Sequence, residues 1–98
     1  SIGLDSTVRT SAFTAVKNNS YMIDTSSGTF DITLPASPAV GDKVGFMDVE
    51  SNFDVNAATL LRNSSKLFNA ASDGTIDIKG YAGVLVYTGS TYGWMPMF

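Results

Sequence analysis

Two aspartates, Asp31 in Phe30-Asp31-Ile32 and Asp77 in Ile76-Asp77-Ile78, each stand between apolar residues in stretches that alternate with a period of two. A pair of carboxyl groups about 5–10 Å apart in a cleft, one of them kept protonated, can hydrolyse a glycosidic bond. This is the catalytic chemistry that the residue types leave open. Alternation also offers the two aspartates a plainer place, on the solvent face of strands whose apolar residues turn inward. The rest of the catalytic repertoire is thin, because the chain has no histidine and no cysteine. An imidazole base, a thiolate nucleophile and the usual zinc ligands are therefore missing. Asp48, Glu50 and Asp54 fall close together and carry the oxygen ligands that calcium prefers, but their spacing does not follow an EF-hand loop. A solvated acidic loop is the expectation there, with no metal, no cofactor and no catalytic residue assigned, so that a non-enzymatic role leads.

Weaker signals are Asn18-Asn19-Ser20 and Asn63-Ser64-Ser65, which match the glycosylation acceptor pattern. Turn formation accounts for both. Gly80-Tyr81-Ala82-Gly83 is too short to cradle a phosphate and reads as a bend or bulge in a strand. Tyr81, Tyr92 and Trp94 are the candidate ligand-binding residues, since an exposed ring beside Asn, Asp or Thr can stack on a pyranose while the polar groups take its hydroxyls. For Trp94, packing in a core or an interface is the preferred alternative.

The elements that must position these residues are short and alternating. In Thr29–Pro35 the residues Phe30, Ile32 and Leu34 share one face, and Pro35 ends the run. Further strand candidates are residues 11–16, 21–25, 43–49, 58–63, 66–69, 75–79, 83–88 and 91–96. Asn, Ser, Gly, Asp and Pro clusters separate them. A short helix over Asn56–Arg62 is the competing reading. The pattern predicts an all-β fold: a small antiparallel β-sandwich or flattened barrel of about seven to nine short strands. Residues 1–10 read as a lead-in segment and residues 11–98 as a single domain.

In the closing stretch Val84 and Val86 point one way, Leu85 and Tyr87 the other, so both faces of that strand are apolar. A small antiparallel sandwich normally leaves one face of each sheet in water. Tyr92, Trp94, Met95, Met97 and Phe98 crowd in just behind. Leu85, Tyr87, Met95, Met97 and Phe98 are therefore the candidate oligomer-interface residues, and a neighbouring subunit is the preferred cover.

Composition agrees. Of 98 residues, 44% are hydrophobic, yet only 15% are charged, where about 25% is ordinary, so the surface must be Ser, Thr, Asn and Gly or else another protein. A net charge of -3 with six scattered cations removes the electrostatic ground for nucleic-acid binding. No stretch is apolar for long enough to span a membrane as a helix. The start without methionine suggests an excised fragment or a cleaved tag, with a fragment of something longer the preferred reading.

Asp24-Thr25-Ser26, Thr33-Leu34-Pro35-Ala36-Ser37-Pro38, Gly41-Asp42, Phe46-Met47-Asp48, Arg62-Asn63 and Leu85–Thr91 together resemble the small β-rich modules near the C-terminal ends of bacteriophage tail-fibre and other virion appendage proteins. The likeness covers residues 15–98. Its motifs are turn and strand signals, and the tail Met95-Pro96-Met97-Phe98 is more apolar than that pattern. The resemblance implies a structural module of the virion: a homotrimeric fibre tip or knob that contacts other virion proteins and takes part in host attachment. Carbohydrate or other host-surface receptors are the ligands it implies. The reading from another class is a carbohydrate-binding module attached to an enzyme; a glycosidase using Asp31 and Asp77 ranks last.

Overall fold

The computed structural model describes residues 2–97. Nine strands and no helix make up these residues: β1 (Gly3–Arg9), β2 (Phe13–Thr14), β3 (Asn19–Ile23), β4 (Asp31–Thr33), β5 (Lys43–Asp48), β6 (Ala58–Leu61), β7 (Gly74–Ile76), β8 (Ala82–Tyr87) and β9 (Trp94–Met97). They form two sheets, a larger one in the order β1-β3-β5-β8-β9 and a smaller one in the order β2-β4-β6-β7. The all-β, sandwich-like architecture and the number of strands match the expectation from the sequence; the sheets do not close into a barrel.

Pairing is where the fold differs. Strands β1 with β3, β3 with β5, β2 with β4, and β4 with β6 are parallel; only β5 with β8, β6 with β7, and β8 with β9 are antiparallel. The cause is the path of the chain, whose first six strands visit the two sheets in turn. Each return to a sheet follows a strand laid in the other sheet, so neighbours within one sheet run the same way. Parallel strands usually need a long crossover, and here the opposite layer supplies it.

Residues 3–9, expected as a lead-in, form the longest strand and one edge of the larger sheet. The alternation of Leu4, Ser6 and Val8 with Asp5, Thr7 and Arg9 carried that signal. No helix forms over Asn56–Arg62; Ala58–Leu61 is strand β6, with Ala58 and Leu60 turned inward. Residues 66–69 supply only isolated bridges from Leu67 to Ala70 and to Trp94.

One core lies between the layers. Tyr21, Ile23, Val44, Phe46, Leu85 and Trp94 of the larger sheet meet Ile32, Ala58, Leu60 and Ile76 of the smaller one, and Ala15, Leu34, Phe53 and Leu67 fill in from the connections. Phe13 packs on Tyr21 with ring centres 4.8 Å apart, and the Tyr21 hydroxyl accepts the Val16 N–H at 2.7 Å. The Arg9 guanidinium then lies over both rings, 4.8 Å from Phe13 and 5.8 Å from Tyr21, while its Nε donates to Asp5 at 2.8 Å.

Candidate functional site

The two catalytic aspartate candidates are kept apart. Asp31 of β4 is aligned with Thr59 of β6 and through it with Thr75 of β7, so β6 lies between it and Asp77, which follows β7. Two strand spacings and an offset of two residues along the strand amount to about 12 Å, both residues are exposed, and Asp31 does not border the pocket beside Asp77. Asp31 and Asp77 are solvent-face residues of the smaller sheet.

Asp48 departs from the expected acidic loop. It is buried, and its carboxylate accepts three backbone N–H groups, from Asn52 at 3.0 Å, Phe53 at 3.0 Å and Gly80 at 2.9 Å. Burial alone pushes its carboxyl pKa up, but the three donors outweigh this and hold it below the ordinary aspartate value. Asp48 thus ties the 49–57 connection, which carries the core residue Phe53, to the turn before β8. Glu50 and Asp54 remain exposed. Among the described residues no three His, Cys, Asp or Glu side chains gather as they would around a metal ion. The two acceptor asparagines are also occupied: Asn18 Oδ1 accepts the Lys43 N–H, and Asn63 Nδ2 donates to the Leu34 carbonyl. Both sit at positive φ, as turn residues do.

The structure separates the three aromatic candidates. Trp94 is fully buried and meets Tyr87 edge-on at 5.5 Å, so it is a core residue and offers no stacking platform. Tyr92 is exposed on the turn between β8 and β9. Tyr81 is half-buried, and burial raises its phenol pKa. It lines a pocket of about 190 Å³ together with Phe68, Thr75, Ile76, Asp77, Ile78 and Pro96. Phe68 is held at φ 52°, an uncommon and costly conformation for a bulky side chain, and Asn69, a residue type that enters this region readily, at 61°. Hydrogen bonds from the Phe68 N–H to the Trp94 carbonyl (2.9 Å) and from the Asn69 N–H to the Tyr92 carbonyl (3.0 Å) pin the bend.

The closing strands place the interface candidates on two sides. Leu85 is aligned with Pro96, and Tyr87 with Trp94. Leu85 is fully buried in the chain's own core, which leaves it no surface to offer an interface, and the half-buried Tyr87 packs against that core. Met95 and Met97 lie on the opposite side, aligned with Val86 and Val84. Phe98 lies outside the described residues. From Val84 and Val86 the register runs on to Gly45 and Lys43 of β5, then to Ser20, and from Met47 to Met22 of β3; Leu4 and Val8 of β1 continue the two rows. The outward face of the larger sheet therefore presents Leu4, Val8, Met22, Met47, Val84, Val86, Met95 and Met97, with Lys43 as its one charged residue.

All four methionines of the chain lie on this face. Leu4 is 58% exposed, Val8 44%, Met47 42% and Met97 40%. The outward face of the smaller sheet is different in kind: Thr14, Thr33 and Leu61 form one row, and Asp31, Thr59 and Thr75 another. Alternation in the last two strands reveals only part of this apolar face, because the rest of it lies on β1, β3 and β5. The shared parity of Met22 and Met47 with their strands' outward residues was the available signal.

No known protein-family model matches the chain, and no curated protein is similar to it.

Proposed function

We propose that the chain is a non-enzymatic structural module of a virion, at the end of a tail fibre or comparable appendage, which assembles as a homotrimer and presents its remaining surface to other virion proteins and to a host receptor. The apolar outward face of the larger sheet carries the assembly half of this reading. The resemblance of the turn and strand motifs carries the virion half and the number three.

The dimensions suit the assembly. Five strands about 4.8 Å apart make a sheet roughly 19 Å wide, and five residues of about 3.3 Å each give a patch of roughly 300–400 Å². That is the size of the largest apolar patch on an ordinary monomer, and such patches are often functional; here it is a single sheet face carrying all four methionines. Three such sheets around a common axis enclose a triangular prism whose faces lie roughly 5–6 Å from the axis, close to half the ~10 Å at which sheets pack face to face. Eight mostly aliphatic side chains per copy fill that space, and methionine adapts to the irregular gaps of such a seam. Edge-to-edge growth is disfavoured by contrast, because the free strand β1 carries the Asp5–Arg9 ion pair and an irregular register between Leu4 and Val8.

The carbohydrate-binding-module reading loses Trp94 as a platform by its burial and rests on the exposed Tyr92. Sedimentation of the wild-type domain and of Met47→Lys and Val84→Lys variants tests the proposal. The wild type sediments as a trimer; each lysine, placed in a dry seam, yields a folded monomer. A wild type that stays a folded monomer at tens of micromolar refutes the assembly half. Failure of virions carrying the variants to lose infectivity refutes the other half.

A further inference from the structure

The Arg9 site shows how this protein holds a guanidinium: one carboxylate, Asp5, at 2.8 Å and two aromatic rings, Phe13 and Tyr21, beneath it. The pocket beside Tyr81, toward the opposite edge of the larger sheet from β1, is lined by the same residue types. Phe68 and Tyr81 are its aromatic residues, Asp77 is its acidic one, and Ile76, Ile78 and Pro96 are its apolar walls. Asp77 makes no ion pair among the described residues, whose single ion pair is Asp5–Arg9. Ile78 is 61% and Phe68 39% exposed, which is apolar area left at the mouth. Phe68, a wall of the pocket, is held at φ 52°, strain that its surroundings enforce through the hydrogen bond to the Trp94 carbonyl.

From this we propose that the pocket binds an arginine side chain presented by a partner polypeptide. A volume of about 190 Å³ falls below the ~300–1,000 Å³ of a site for a whole small molecule and fits one side chain. A planar guanidinium stacks on an aromatic face and offers paired donors to a carboxylate, while its alkyl stem lies along apolar walls. The occupant comes from a different protein. This chain has two arginines; Arg9 is engaged at Asp5, and Arg62 donates to the Ser65 carbonyl at 3.3 Å. Pro96 lines the pocket from the side of β9 opposite to Met95 and Met97, so the pocket and the methionine face are on different sides of that strand.

Titration of the intact domain with Nα-acetyl-arginine methylamide, followed by the methyl resonances of Ile76 and Ile78, tests the proposal. Parallel titrations use the lysine analogue and methyl α-glucopyranoside. Binding in the millimolar range is expected for one isolated side chain, with arginine ahead of lysine, and Asp77→Asn should weaken it about two- to fivefold. Added salt should weaken the wild type more than Asp77→Asn. Tyr81→Ala, which leaves the carboxylate in place, should weaken binding without removing the salt effect. The proposal is overturned by any of three results: no methyl shift with arginine, shifts with the glucoside that equal or exceed those with arginine, or arginine binding that appears only after Phe98 is deleted.

Discussion

Replacing Asp48 by alanine removes the acceptor of three backbone N–H groups at once. The Phe53 donor is buried, and a buried donor left without a partner costs about 1–3 kcal/mol. The Asn52 and Gly80 donors are only partly buried and can recover water, so each loses nearer 1 kcal/mol. The sum is roughly 3–5 kcal/mol, a large share of the ~5–15 kcal/mol that stabilises a domain of this size, and it should lower Tm by at least about 12 °C. Asp48→Asn keeps one carbonyl oxygen but turns an N–H₂ toward a donor, so it should fall between alanine and the wild type. The same carboxylate sets a pH signature. Its folded pKa lies below the ordinary value of 3.8, so its contribution is complete above that value and is lost as pH falls through the folded pKa. Urea unfolding of wild type and Asp48→Asn should therefore show a wide gap at neutral pH that narrows below about pH 4. A midpoint unchanged in Asp48→Ala, or a gap of constant width down to strong acid, would refute the account of Asp48 as the tie between the two connections.

Two further substitutions check the packing. Gly93 has φ +77°, and a Cβ there would lie 2.0 Å from the Lys66 carbonyl oxygen; Gly93→Ala should destabilise by about 3 kcal/mol or more in a melt, because both the conformation and the neighbouring backbone must give way. Thr25 is fully buried, and its Oγ1 has no hydrogen-bond partner. Thr25→Val, of nearly the same shape, should leave the denaturation midpoint unchanged or raise it, whereas a loss of more than about 1 kcal/mol would mean that the hydroxyl is satisfied in solution.

Short strands and their turns could be read from the sequence because alternation and Asn, Gly and Pro placement are local signals. Phe30, Ile32 and Leu34 turn inward as their spacing indicates, and Leu85 and Val86 part to opposite sides. Parallel pairing was not legible, since it depends on which layer the chain visits next rather than on any window of residues. Trp94 could be weighed toward the core from its apolar neighbours, but Asp48 could not: a carboxylate flanked by Met47 and Val49 looks like a solvent residue until the N–H groups of Asn52, Phe53 and Gly80 are seen to converge on it. The pocket was half visible, with Tyr81 and Asp77 marked for separate reasons and Phe68 hidden inside an apparent strand.

The alternation of the first six strands between layers also bears on how the polypeptide reaches this state. Neither layer can be completed by neighbours in sequence before β6 and β7, and β8 must slot between β5 and β9 before the larger layer is whole. Loop closures therefore precede most of the stabilising contacts, which places the domain among slow, millisecond-to-second folders. During synthesis each strand up to β6 finds its partner only after a strand of the other layer has been made, so open strand edges persist longer than in a meander of hairpins.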